Sequence, residues 1–157
     1  MKVILQRCVD ASVSVDNKQV GSIEKGLMLL VGFTMGDSIK EINYMVDKII
    51  NLRIFNDDSG VMNKSLVDVQ GSILSISQFT LYADTKKGRR PSYIKALRGE
   101  EAIKLYELFN NTLRCELGKI NDKLKVEEGI FGADMKVKFT NDGPVTIILE
   151  KEGDNNG

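Results

Sequence analysis

Val3, Leu5, Val9, Ala11, Val13 and Val15 alternate with mostly polar neighbours, the period-two mark of a long strand with one buried face. "DNKQVG" then reads as a turn, and the uninterrupted apolar run "LMLLVGF", 27–33, predicts a central strand covered on both faces. Ser38-Ile39-Lys40-Glu41 fits a capping box, and behind it Ile39, Ile42, Met45, Val46, Ile49 and Ile50 recur at helical spacing. A first amphipathic helix therefore runs to about residue 51. "LRIF" reads as a strand, "NDDSG" as a turn, and "SILSISQFTL", 72–81, as another strand. A second helical region begins near Pro91-Ser92 and is strongest over 100–117. Its predicted buried stripe is Ala102, Leu105, Tyr106, Phe109 and Leu113, and Gly118 is placed as its cap. Strands near 124–127, 135–140 and 145–150 complete the chain. Asp142-Gly143 between the last two suits a hairpin turn, but Pro144 is surplus to one.

The element order is then roughly β-β-β-α-β-β-α-β-β-β, with short connections and no internal repeat. This predicts an α+β fold of one domain, 1–150, in which two main helices pack on one face of a mixed β-sheet. The tail 151–157 has no apolar anchor and is expected to be disordered.

Composition narrows the chemistry more than the fold. With 157 residues and 42% hydrophobic content the chain suits one core. Its 22 basic residues balance 22 acidic ones, so a nucleic-acid partner would have to be met by a local patch. No leader and no membrane-length apolar run is seen, and a soluble, cytoplasmic protein is expected. Cys8 and Cys115 read as two reduced, buried thiols rather than a disulfide or metal pair. The chain has no histidine, which removes an essential member from Ser-His-Asp and Cys-His arrangements and from His-based zinc and iron sites. No metal and no cofactor is expected.

Three segments could carry chemistry. The loop "ADTKKGRRPS" places Lys86, Lys87, Arg89 and Arg90 around Gly88 with no acidic residue between them. It is either a phosphate-contacting patch or a solvated turn. In "SQFTL", strand alternation would put Ser77, Phe79 and Leu81 on one face and Gln78 and Thr80 on the other. The latter two are satisfied core polar groups or part of a ligand site. In "EEGIFGADM" Phe131 lies between two glycines, either exposed to a flat ligand or folded into the core.

Together "SQFTLYADTKKGRRPS", "NDGPVT", "NLRIFNDDSGVMNKSL" and "GIFGADMKV" resemble the D-aminoacyl-tRNA deacylases over almost the whole chain. The resemblance implies a homodimer, joined through its sheets, in which a Gly-cisPro pair, here Gly143-Pro144, projects into the partner's active site. There its carbonyls would hold the substrate's α-amino group and exclude L-residues by steric conflict, while glycine would escape rejection. It places the terminal adenosine of aminoacylated tRNA among Ser77, Gln78, Phe79 and Phe131, with the basic loop on tRNA phosphate and with neither DNA nor membrane as partner. Thr80, Gln78 and Phe79 are the catalytic candidates. Thr80 stands where a nucleophile has been considered, but no histidine is available to activate it. Backbone N–H groups near Phe79 and Thr80, water and the substrate 2′-hydroxyl could suffice for the ester. Two alternatives stay open: a non-catalytic RNA-binding module, and a threonine-nucleophile esterase.

Overall fold

The structure, a computed structural model, describes residues 1–153. Strand β1, Lys2–Val15, and strand β2, Lys18–Gly32, form a long antiparallel hairpin. Asp16 and Asn17 turn it with φ of 50° and 63°, the left-handed pair that matches strand twist. The turn needs only those two residues, so β2 begins well before the expected 27–33 run.

Helix α1, Ile39–Asn51, starts at the expected capping box, in which Ser38 and Glu41 satisfy each other's backbone N–H. Strands β3, Phe55–Asn56, and β4, Met62–Lys64, make a separate small hairpin, and the short helix α2, Leu66–Val69, follows. Strand β5, Ser72–Ser77, ends four residues earlier than expected, because Phe79–Tyr82 form a one-turn 3₁₀ helix. Helix α3, Glu100–Gly118, is followed by strand β6, Val126–Glu128, and strand β7, Met135–Glu150.

The main sheet has the order β6-β5-β2-β1-β7, antiparallel around β1 and parallel around β5. Helices α1 and α3 pack on one face of it. Val3, Leu5, Leu27, Leu29, Val31 and Ile73 from the sheet meet Ile42, Met45, Ile49, Phe109 and Leu113 from the helices. The mixed sheet with two main helices on one face is thus the architecture, although two strands rather than three precede α1.

A second core, built from Cys8, Ala11, Val13, Ile23, Met28, Leu74 and Ile76, lies beyond a shift in strand phase. In β1 the buried positions step from 3, 5 and 7 to 8, 11 and 13, with Asp10 at φ 53°. In β2 the same shift occurs at Gly26, the partner of Cys8, at φ 148°. A side chain there would overlap the backbone of Ser72 on β5. An extra residue in a strand turns all later side chains to the opposite face.

Other departures have local causes. Residues 91–99 are not helical, since their backbone bonds go elsewhere: Ser92 pairs with Asp84, and the Leu97 N–H donates to the Phe33 carbonyl. Gly118 lies inside α3 rather than capping it, because Lys119 keeps right-handed helical geometry. Leu105 is only partly buried, whereas Asn110 and Leu117 are fully so. Cys8 is buried, with its thiol pushed up to about 11 by that burial, while Cys115 is exposed. Lys151 is tied to Met1 by backbone hydrogen bonds, and the remainder of the tail, 154–157, lies outside the described residues.

Candidate active site

The "SQFTL" segment changes from strand to helix where the site begins. The Gln78 N–H donates to the Val31 carbonyl at 2.7 Å, fixing the end of β5 against β2, and the chain then tightens into the 3₁₀ turn. The expected two-faced alternation is lost. Ser77, Gln78 and Phe79 instead line one pocket of about 310 Å³, together with Phe131 from the segment after β6. The four residues expected at an adenosine are therefore brought together.

Leu30, Val31 and Ile76 supply apolar parts of this pocket, and Asp134 is its only ionisable lining side chain among the described residues. Phe131 combines both readings of its glycine-rich segment. Its ring rests against buried Tyr106, centroids 5.8 Å apart, while it also faces the pocket. The Tyr106 hydroxyl donates to the Ser75 carbonyl at 2.7 Å, and burial raises its pKa.

Thr80 sits on the 3₁₀ turn, where its hydroxyl accepts a hydrogen bond from the Gln78 amide. An amide N–H offers no base to take the hydroxyl proton. Among the described residues the backbone N–H groups of Phe79 and Thr80 have no acceptor, as expected for the opening residues of a helix. Phe79 is 39% exposed, and its ring meets Tyr93 edge-on at 5.2 Å. The Arg98 guanidinium lies 5.0 Å above Phe79 and 5.9 Å above Tyr93. Tyr93 and Arg98 were hidden from sequence reasoning by the helical assignment given to their segment.

Lys86, Lys87, Arg89 and Arg90 are all exposed on a loop closed by reciprocal backbone bonds between Asp84 and Ser92 at 2.8 and 2.9 Å. None of the four is in an ion pair among the described residues. The Lys86 N–H donates to the Asp84 carboxylate and holds it below the usual carboxylate range.

The "NDGPVT" segment is not a hairpin. Strand β7 keeps its direction and stays paired with β1 on both sides, so 142–145 form an outward bulge opposite Arg7. The Gly143–Pro144 peptide bond is cis, and both residues are exposed. Arg7, only 8% exposed, donates from Nε to the Asp142 carbonyl at 2.8 Å and from Nη1 to the Ile54 carbonyl at 2.9 Å. Asn141 closes the other side by accepting the Val145 N–H at 3.0 Å. Gly143 has φ 137°, and a Cβ there would meet Arg7 Nη2 at 3.0 Å. Sequence reading missed Arg7, although a charged residue in phase with Met1, Val3 and Leu5 was a usable signal. The bulge does not line the pocket of its own chain among the described residues.

The family model for D-Tyr-tRNA(Tyr) deacylase matches residues 4–150. The chain is 55% identical over 152 residues to a D-aminoacyl-tRNA deacylase of Flavobacterium psychrophilum, covering 97% of this chain and 98% of that one. It is 53% identical over 152 residues to a D-aminoacyl-tRNA deacylase of Clostridium tetani, again covering 97% and 98%. A solved structure of c-Myc DNA Unwinding Element Binding Protein superposes with a TM-score of 0.88 at 42% identity, covering 98% of this chain and all of that one. A probable eukaryotic D-amino acid tRNA deacylase, at 20% identity and a TM-score of 0.79 over 94% and 97% of the two chains, shares the fold. The chain thus shares its α+β fold, a mixed sheet with a helical layer, with these structures, and it belongs to the D-Tyr-tRNA(Tyr) deacylase family.

Proposed function

We propose that the protein is a D-aminoacyl-tRNA deacylase, hydrolysing the ester between a D-amino acid and the 3′-terminal adenosine of tRNA. The observation that carries this reading is the convergence of Ser77, Gln78, Phe79 and Phe131 on one pocket at the end of β5. An adenine ring fits the aromatic wall, as unpaired bases favour stacking on such side chains. The reacting carbonyl then lies toward the unpaired N–H groups of Phe79 and Thr80. Those donors stabilise the oxyanion formed when water adds to the carbonyl carbon, and the terminal ribose oxygen leaves. One such donor is worth about 2.7–4 kcal/mol. Thr80 stands on the turn beside the pocket and is not among the residues that line it; we read it as a positioning residue rather than the nucleophile, since among the described residues its hydroxyl meets an amide donor and no base.

The second half of the site comes from another copy of the chain. Ile148, Ile4, Leu30 and Ile76 are consecutive partners across β7, β1, β2 and β5. This row crosses the face opposite the helices and ends in the pocket, whose lining includes Leu30 and Ile76. Ile148 is 65% exposed at its outer end. A homodimer covering this row through its sheets places the clamped Gly143-Pro144 bulge of each subunit at the pocket of the other. The bulge offers backbone carbonyls to the α-amino group and leaves a D-side chain free, while it crowds an L-side chain.

The test compares D-tyrosyl- and L-tyrosyl-tRNA hydrolysis, without added metal, by wild type, Thr80→Val and Gly143→Ala. Wild type cleaves the D-ester selectively, Thr80→Val keeps activity within about tenfold, and Gly143→Ala loses rate on the D-ester and discriminates less. Wild-type binding to tRNA without cleavage would leave an RNA-binding module. A folded Thr80→Val protein without activity would restore the threonine nucleophile.

A further inference from the structure

The 3₁₀ turn that carries Phe79 at its start has a second cavity at its other end. Lys2, Tyr82, Asp84, Thr85, Lys86 and Lys95 line a cleft of about 230 Å³. Among the described residues, three lysines and a single acidic residue thus line the cleft. Lys2 Nζ lies 4.8 Å over the Tyr82 ring, and Lys95 Nζ lies 3.8 Å from Asp84 Oδ2. Tyr82 is buried, so the ring beneath Lys2 is a fixed wall. Asp84 accepts the Lys86 N–H and is near Lys95, and Asp37, Glu150 and Glu152 also act on Tyr82, so the three lysines stand among carboxylates of which Asp84 alone is in the lining. Lys2 has one further anion near it, Glu150 at 3.6 Å, whose side chain is largely exposed.

Resting on the deacylase reading, we propose that this cleft is a phosphodiester subsite for the strand whose terminal adenosine occupies the pocket, with Lys2 and Lys95 as its principal cations and the Thr85 hydroxyl as a neutral donor. From Phe79 to Tyr82 a 3₁₀ helix rises roughly 6 Å, so adenosine wall and phosphate wall belong to one short rigid element. The exposed Lys86 joins the cleft to the rest of the basic loop. A phosphate held here fixes the strand beside the reacting ester, which sets how the substrate enters but supplies no group to the bond that breaks.

The experiment uses the full-length protein and two substrates, D-tyrosyl-tRNA and the D-tyrosyl ester of adenosine, which has no phosphate. Because six to ten phosphate contacts lose roughly 10³–10⁵ in affinity between about 50 and 200 mM salt, two contacts carry about tenfold of such a salt-dependent loss. The double variant Lys2→Gln/Lys95→Gln should raise KM for the tRNA at low salt, remove about tenfold of the further rise in KM between about 50 and 200 mM salt and leave kcat unchanged. Its kinetics on the adenosine ester should match wild type, and Lys2→Arg/Lys95→Arg should keep the tRNA KM. Lys25→Gln/Lys125→Gln, which removes two lysines from a different cavity, should do little. An equal loss on both substrates, an unchanged tRNA KM, or the same loss from the Lys25/Lys125 variant overturns the subsite while the deacylase reading stands. Wild-type protein that cleaves neither ester overturns both.

Discussion

Arg7 shows what one residue does in this fold. Its guanidinium is buried between a backbone carbonyl of the 142–145 bulge and that of Ile54, so it joins the main sheet to the start of the small hairpin. A methionine fills comparable space but strands both carbonyls without donors, at about 1–3 kcal/mol each. Arg7→Met is therefore expected to lose about 2–6 kcal/mol in urea unfolding and more activity on the D-ester than its folded fraction explains. Unchanged unfolding would show that water replaces the guanidinium. Arg7 is also where the residue pattern was legible but incomplete. The alternation Val3, Leu5 was read correctly and then continued to Val9, because a charged side chain does not register as buried in a hydrophobic pattern.

Among the elements, α1 was readable because its local signals agree with its packing: the capping box, the apolar stripe and the buried face coincide. Removing the cap by Ser38→Ala should cost about 0.5–2 kcal/mol, measured as a fall in unfolding free energy. Burial raises the Glu41 pKa, but hydrogen bonds from the Ser38 hydroxyl and backbone N–H outweigh it, and the carboxyl ends below its ordinary value. A depressed folded pKa means that the unfolded chain binds the proton more readily. This contribution is complete above the ordinary carboxylate range and is lost as pH falls through the depressed value. Glu41→Gln should flatten the acid limb of the stability curve, and an unchanged limb would contradict the assignment. The 3₁₀ turn and the phase shifts were not readable in the same way. "SILSISQFTL" remains strand-like through Leu81, and only the pairing of Gln78 with Val31 and the tightening after it reveal the break. Asp10, Gly26 and the 142–145 bulge make sense together only once β1 has neighbours on both sides.

For the whole molecule, the fold class was legible in the pattern, while Ser77, Gln78, Phe79 and Phe131, four of the residues lining the pocket, were grouped only by the resemblance, because strand alternation separates Gln78 from its neighbours. Pro144 was surplus to a hairpin because no hairpin exists there. The row ending at Ile148 is the test of assembly. Ile148→Glu places a charge on the proposed contact without touching the helix-side core, so it should shift the protein toward monomer in analytical ultracentrifugation and reduce D-ester cleavage together with dimer content. A monomeric variant with full activity would place the whole site within one chain. One feature of the pocket reaches beyond architecture. Among the described residues its lining has a single carboxylate and neither a histidine nor a lysine, so an enzyme working there has almost no proton inventory of its own. Its dependence on acidity would be inherited from the ester it receives, through the charge of the substrate's amino group and the supply of hydroxide. Variation among amino acids would then be read in the substrate's acid–base behaviour, with the protein serving as a fixed frame.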